Sequence, residues 1–302
     1  ACAEKLQGVP GTAFRYSDIN FFLLGEIVQR VSHKPLDEFV AREIYRPLKM
    51  VDTGYLPPQT KLGRIAPTEV VKGKPYRGVV HDPTARQMGG VAGHAGLFTT
   101  AADLARYARM LLSRGSLDGV RIFKPETVEL MTSVQTPPSM PVRRGLGWDI
   151  DSGYSGPRGT LFPIGSYGHT GWTGASLWID PFSQMFVIFL SNRNHPNESG
   201  SVGALRAELG TLAAEAITDF NFASVPGALE AAFEAAFASA LASALAAPAA
   251  LSPSTFSAAP APALATAFDV SAPLGIAKRL SSSATFSSIL LNVIFCFCGI
   301  PL

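Results

Sequence analysis

Two short segments carry side chains suited to proton transfer and acyl chemistry. In Pro10-Gly11-Thr12-Ala13-Phe14-Arg15-Tyr16-Ser17-Asp18-Ile19-Asn20, Tyr16 stands directly in front of Ser17, a residue type that starts helices. A helix N-terminus carries partial positive charge, and cations near it would lower a phenol from its usual pKa of ~10 toward a value useful for proton transfer. On spacing alone, a tyrosine beside an apolar helix is more often packed with its hydroxyl satisfied. The second segment is Gly168-His169-Thr170-Gly171-Trp172-Thr173-Gly174, just ahead of the β-forming run Ala175-Ser176-Leu177-Trp178-Ile179. Glycines around His169 and Thr170 allow close approach of a backbone or a ligand. An edge strand of this kind can hydrogen-bond an acyl substrate and offer an N–H to a developing oxyanion. A glycine-rich turn with an incidental exposed histidine accounts for the same residues equally well.

Taken together, the two segments resemble the serine β-lactamase, DD-peptidase and esterase superfamily, over about residues 6 to 220. In that family a Ser-x-x-Lys motif supplies the nucleophile and its lysine, a Tyr-x-Asn motif a proton-shuttling tyrosine, and a Lys-Thr-Gly or His-Thr-Gly strand completes the site. Tyr16-Ser17-Asp18 resembles the second motif and His169-Thr170-Gly171 the third. The stretch Gly89-Gly90-Val91-Ala92-Gly93-His94-Ala95-Gly96-Leu97, followed by a helix start at Thr99-Thr100-Ala101-Ala102-Asp103, is similar to the glycine-rich turn these hydrolases carry in between. The resemblance implies a catalytic role for Tyr16 and His169, and substrate contacts from Asp18, Thr170, Gly171 and Trp172. It also implies a peptide, ester or β-lactam acyl substrate, no metal or organic cofactor, and an extracytoplasmic or periplasmic location.

Two departures stand out. Asp18 occupies the place of the family's Asn, exchanging an amide that can donate for a group that, when ionised, only accepts. This shifts the expectation from β-lactamase toward esterase-like or peptidase-like relatives, or else Asp18 caps the helix. The second departure concerns the nucleophile. The residues three before each lysine are Cys2, Val31, Arg46, Pro58, Glu69, Val71, Arg121 and Gly275, so the chain holds no Ser-x-x-Lys. Cys2-Ala3-Glu4-Lys5 imitates the spacing but lies too close to Tyr16 to serve as the family's first motif. The opening residue is Ala, and the first residues lack the basic start and apolar core of a signal peptide, so the expectation is a chain that begins in mid-protein. Two functional expectations follow: an acyl-serine hydrolase that needs a nucleophile from elsewhere, or a non-catalytic remnant or binding module of the same fold.

The other polar residues have plainer readings. His94, between glycines, reads as a turn residue or satisfied polar group that borders the cleft at most. Asp149, Asp151 and Asp180 read as strand-end or turn carboxylates, and Trp172 as a pocket wall or a packing residue. His33, His81, His94, His169 and His195 show no pairing at metal-ligand spacing, which disfavours zinc chemistry. With 25 Lys and Arg against 23 Asp and Glu, no positive field exists to hold a nucleic-acid backbone.

The elements that must position these groups can be read from periodicity. Ser17 is placed to cap a helix over 18–32 with Ile19, Leu23, Ile27 and Val31 as its apolar stripe. Pro35 suits the first turn of a helix over 36–45 that Pro47 stops. Thr100, with Asp103 three residues on, caps a helix carrying Leu104, Tyr107, Ala108 and Leu111, and Pro125 opens a short one. Runs at 146–150, 175–179 and 185–191 read as strands, the last two joined as an antiparallel hairpin by Asp180-Pro181-Phe182-Ser183. A helix over about 202–218 follows. The fold class is α+β: an antiparallel sheet flanked by helices, with a helical subdomain.

Composition then changes. From 223 to 268, twenty of 46 residues are Ala. Leu229, Phe233, Phe237, Leu241 and Leu245 line one side of a helix that Pro248 ends, and Ser/Pro/Ala-rich linker follows. The apolar run 289–300 is short of the ~20 residues that span a bilayer and is broken by Asn292, which disfavours a membrane anchor. The expected division is a hydrolase-like domain over 1–220 and a low-complexity tail over 221–302. The only thiols are Cys2, Cys296 and Cys298, so no disulfide is available within the body of the chain.

Overall fold

The computed structural model describes residues 5, 8, 9 and 11–226. The Ala-rich helix, the linker, the terminal apolar run and all three cysteines lie outside the described residues.

Helix α1 (Asp18–Ser32) spans the expected residues and ends where His33 turns into the left-handed region at φ 55°. Ser17 is its N-cap residue, but its hydroxyl makes no capping bond; the expected side-chain cap, from Ser17 or from Asp18, is absent. Helix α2 (Leu36–Val40) continues into a π-helical turn, Ala41–Tyr45, so the single helix expected over 36–45 changes its hydrogen-bond register halfway. A short ribbon, β1 (Val70–Val71) and β2 (Lys74–Pro75), precedes the five-residue α3 (Pro83–Gln87), which Asp82 caps by accepting from the N–H of Ala85. Helix α4 (Ala101–Leu112) starts as expected: the Thr100 hydroxyl accepts from the Asp103 N–H at 3.3 Å. The Asp103 carboxylate turns away from that cap to accept from the Asp52 N–H and the Thr53 hydroxyl, tying α4 to the preceding loop. The ribbon of β3 (Ser116–Leu117) and β4 (Val120–Arg121) leads to α5 (Pro125–Thr132), with Pro at its first turn.

The sheet is antiparallel, in the order β5 (Arg143–Arg144), β6 (Asp149–Asp151), β7 (Tyr167–Thr170), β8 (Ser176–Asp180) and β9 (Met185–Phe189). The hairpin of β8 and β9 is the expected one. The run at 146–150 becomes a strand only from Asp149, because the backbone must first turn at Gly147, which has φ 85°. Beyond the sheet lies α6 (Gly203–Glu215).

Alternation along β8 assigns the two faces. Leu177 and Ile179 join the main core with Val40, Ile44, Leu104, Tyr107, Met110, Met131, Trp148 and Ile150, between the sheet and helices α1, α2, α4 and α5. Trp178 points the other way, into a smaller cluster with Phe162 and Ala214 of α6. Phe222 extends that cluster, so packed structure continues just past the expected boundary at residue 220. The result is helices, sheet and a covering helix, the α+β arrangement expected from the order of elements. Among the described residues no helix is long and apolar enough to cross a membrane.

Two glycines make the close approaches that the site needs. A Cβ on Gly93 would strike the carbonyl of Phe21, so only glycine lets the 89–97 loop cross α1 near Gly25 and set His94 beside it. A Cβ on Gly168 would strike the Trp178 ring and the Leu177 carbonyl, which fixes how closely β7 lies on β8. Gly168→Ala is therefore expected to destabilise the chain by about 1–3 kcal/mol, the range for overpacking a filled core. A urea unfolding midpoint unchanged from that of the parent would contradict this packing.

Candidate functional site

One cleft of about 870 Å³ opens where the N-terminus of α1, the 80–95 segment, the end of β7 and the 193–206 segment converge. Tyr16, Asp18, His169, Thr170, Gly171 and Trp172, all six residues singled out above, line it. The ring of Tyr16 stacks toward that of His169, with centroids 6.3 Å apart and planes inclined by 28°; Tyr154 closes the other side of Tyr16 at 5.6 Å.

Beneath Tyr16 lies a charge pair from two adjacent strands. Arg144 and Asp149 face each other across β5 and β6, and their side chains meet at 3.1 Å with 7% and 1% of their surface exposed. Asp149 also accepts from the hydroxyls of Ser152 and Ser155, at 2.7 and 2.8 Å, so the buried carboxylate is well supplied with donors. The Arg144 guanidinium lies 5.4 Å from the ring centre of Phe14 and 6.0 Å from that of Tyr16. Asp151 pairs with Arg143 and Arg158, and Asp180 accepts from Ser166, Ser183 and the Ser183 N–H, so these two are structural, as their positions suggested.

The charge state of Tyr16 differs from the expectation. Partial burial and the neighbouring Asp18 carboxylate push the phenol up to about 12, while Arg144 offsets only part of that rise. A helix terminus and nearby cations were expected to lower it; in the fold Arg144 is engaged by Asp149, and the Asp18 carboxylate raises it. At neutral pH Tyr16 is thus a phenol, a donor. Asp18 does not cap α1. It opens into the cleft, where burial raises its carboxyl above the usual range, His94 pulls it back and Asp82 adds to the rise.

His169 is held in one tautomer. Its Nδ1 lies 2.8 Å from the carbonyl of Thr170, which can only accept, so Nδ1 carries the proton and Nε2 presents a lone pair. Burial, then the charge of Arg144, bring this imidazole down to about 4, so it is neutral at physiological pH. The strand that carries it is not a sheet edge, as expected, but the central strand of five. Its neighbour β6 pairs with it at Gly168 alone, so His169 and Thr170 project past the register of β6 toward the cleft.

Residues with no local sequence signal complete the walls. Arg206 of α6 donates to the carbonyls of Gly171 and Ala175, at 3.0 and 2.7 Å, and so holds the turn after β7; burial, then Arg193, bring it down to about 10, still cationic. Arg193 donates to the Trp172 carbonyl and lies 4.6 Å over its indole, which keeps Trp172 at the mouth, 65% exposed, as a wall rather than core. His94, read as a turn residue or a polar group bordering the cleft, is buried at the floor: Nε2 pairs with Asp82 at 2.8 Å and the ring packs edge-on against Phe22. Spacing could not have revealed Arg193 and Arg206, because each reaches the cleft from a different loop or helix.

Two outcomes follow from the charges. Removing Arg144 alone (Arg144→Met) strands a buried carboxylate and is expected to cost about 3–5 kcal/mol, most of it recovered in Arg144→Met/Asp149→Leu; a denaturant series on both variants checks this. Because the folded pKa of His169 is depressed, the native state refuses a proton that the unfolded chain accepts. The associated stability is complete above pH ~6.5 and is lost as the pH falls toward 4, with a slope approaching 1.4 kcal/mol per pH unit. His169→Asn should flatten that part of the stability profile, and an identical acid slope in both proteins would contradict the assignment.

Comparison with known proteins identifies the family of the chain. Residues 1–211 match the Beta-lactamase family. A protein of Escherichia coli (strain K12) named "Putative D-alanyl-D-alanine carboxypeptidase" is 37% identical over 209 residues, covering 63% of this chain and 47% of the relative. A protein of the same name from Salmonella schwarzengrund (strain CVM19633) is 36% identical over 214 residues, 63% and 48% of the two chains. The chain thus spans about half the length of the curated relatives it matches. Among solved structures, EstCE1, "a hydrolase with promiscuous acyltransferase activity", shares the fold with a TM-score of 0.50 at 21% identity, over 68% of this chain and 58% of that one. With 211 of its 302 residues matched, the chain belongs to the Beta-lactamase family, the serine hydrolases that include β-lactamase-like, penicillin-binding-protein-like and esterase members.

Proposed function

We propose that the cleft is the acyl-binding and proton-donating side of an acyl-serine hydrolase site, and that its substrate is a peptide ending in D-alanyl-D-alanine. The observation that carries this reading is the stacking of Tyr16 on His169 at the mouth of the cleft. It puts a phenol beside a strand end that runs past the register of β6, where a carbonyl chain can align. A serine hydroxyl supplied by a Ser-x-x-Lys segment passes its proton to that segment's lysine and attacks the scissile carbonyl, forming the serine oxygen–carbon bond; the same lysine returns the proton to the serine when water later breaks that bond. As the carbon–nitrogen bond breaks, the Tyr16 hydroxyl gives its proton to the leaving amine. Raised to about 12, the phenol is fully protonated at neutral pH and a weaker acid than a free tyrosine, and its phenolate regains a proton readily from the water that completes the cycle. Arg193 and Arg206, close to the His169-Thr170-Gly171 turn, give that end of the cleft a positive field suited to a terminal carboxylate. The names of the Escherichia coli and Salmonella relatives support a D-alanyl-D-alanine substrate over a β-lactam or a simple ester.

A second reading has one specific observation in its favour. The chain holds no Ser-x-x-Lys, so on its own it is equipped to bind an acyl peptide without forming the covalent intermediate.

Calorimetry with an N-acyl-D-alanyl-D-alanine peptide tests both readings. The purified chain is expected to bind without turnover, and Arg193→Ala to weaken binding by about tenfold, the scale of a charge-assisted contact. In a protein that joins this chain to a Ser-x-x-Lys segment, Tyr16→Phe is expected to lower kcat by about 10²–10⁴ while fluorescent-penicillin labelling of the serine persists. An unchanged kcat removes Tyr16 from the proton path. Absence of peptide binding at millimolar concentration removes the substrate assignment.

A further inference from the structure

At the rim of the same cleft three side chains from three separate loops converge. His81 lies before α3, Glu69 lies before β1, and Glu198 follows the sheet; their ligand atoms are all within 4.8 Å of one another. His81 Nε2 is 2.7 Å from Glu198 Oε1 and 3.8 Å from Glu69 Oε2. A fourth group points at the same atom: Asn194, fully buried, has its amide nitrogen 3.1 Å from His81 Nε2. The other end of that amide, Oδ1, is buried and has no hydrogen-bond partner.

Hydrogen bonding alone does not satisfy this cluster. One imidazole nitrogen carries either a proton or a lone pair. With a proton, Nε2 serves Glu198 and meets the Asn194 N–H donor head-on; with a lone pair, it serves Asn194 and faces the Glu198 carboxylate at 2.7 Å. Rotating the amide exchanges one orphan for another, since the nitrogen then takes the buried place without a partner. The two carboxylates meanwhile repel each other across the histidine.

We propose that Glu69, His81, Glu198 and, after an amide flip, Asn194 Oδ1 form a binding site for one divalent transition-metal ion, with Zn²⁺ as its best fit. A cation takes the Nε2 lone pair and neutralises two carboxylates with two charges; the flipped Asn194 oxygen completes the set, its amide nitrogen taking the buried place that Oδ1 held. At the usual Zn–N and Zn–O lengths, ligand atoms of a tetrahedral site stand about 3.3 Å apart, a value bracketed by the 2.7 and 3.8 Å separations here. An imidazole among three oxygens selects zinc over calcium or magnesium. Four protein ligands leave no open position, which makes the role structural. The site clasps the 66–82 segment to the 192–200 loop, reinforcing bonds already there: Val70 N–H to the Pro196 carbonyl at 2.9 Å and the Asn192 amide to the Pro67 carbonyl at 3.0 Å. Both segments supply cleft walls, through Asp82 on one side and Arg193 on the other. Local sequence spacing concealed the site because its ligands fall in two groups over a hundred positions apart.

The test is calorimetric titration of ZnCl₂ into the EDTA-stripped, dialysed full chain with Cys2, Cys296 and Cys298 changed to Ser, so that no thiol competes. The expected result is one Zn²⁺ per chain at micromolar Kd or tighter, a raised Tm, and no saturable response to MgCl₂. His81→Ala and Glu198→Gln are each expected to weaken binding at least tenfold. Glu198 is exposed, so its variant folds even if removal of His81 proves disruptive. Absence of saturable Zn²⁺ binding in a chain with native near-UV circular dichroism overturns the proposal, as does Zn²⁺ affinity unchanged in Glu198→Gln.

Discussion

The guanidinium of Arg144, buried against the carboxylate of Asp149, is the charge to which both Tyr16 and His169 answer. It ties β5 to β6, underlies the ring of Tyr16 and adds to the forces that keep His169 neutral. Asp149 is also the residue through which β6 pairs with β7 at Gly168. A buried ion pair gives little net stability of its own, since desolvation consumes most of the Coulombic gain. What it gives here is register: an uncompensated charge in either strand is so costly that β5, β6 and β7 have one acceptable alignment. That alignment sets His169 and Thr170 just past the end of β6, opposite the start of α1.

Around this pair the site divides its charges unequally. Tyr16 and Asp18 are both displaced toward their protonated forms, and His169 toward its unprotonated one. Burial is the largest cause in all three, so charge is suppressed around Tyr16, Asp18 and His169, while the cations Arg193 and Arg206 stand beside the turn after β7. A neutral wall with cations at one end suits an acyl chain that bears a terminal carboxylate. The glycines serve this geometry directly. Gly93 brings the His94 loop onto α1, and Gly168 brings β7 onto Trp178.

How much of this could be read from the chain depends on the range of the interaction concerned. Helix α1, the Thr100 cap of α4, Pro125 at the start of α5 and the β8–β9 hairpin are set by neighbours within four residues, and local pattern was enough to find them. Tyr16 and His169 were visible only because each sits in a short motif resembling one in a known family. The direction of the Tyr16 shift was not legible, because it depends on Asp149 occupying Arg144 and on Asp18 turning into the cleft instead of capping its helix. The place of β7 in the middle of the sheet depends on a pairing with β6 that the weak pattern of 146–150 did not reveal. Arg206 and the Glu69, His81 and Glu198 cluster come from separate elements with no shared period, so only the fold could assemble them.

Tyr16 and His169 share one cleft wall, and nuclear Overhauser contacts measure that directly. In a chain labelled only at tyrosine, histidine and tryptophan side chains, ring protons of Tyr16 and His169 are expected to give a cross-peak that disappears in Tyr16→Leu. The core pair Trp148 and Tyr167, 5.1 Å apart, provides the internal standard. A clear Trp148–Tyr167 cross-peak with none between Tyr16 and His169 would mean that the phenol and the strand end do not meet.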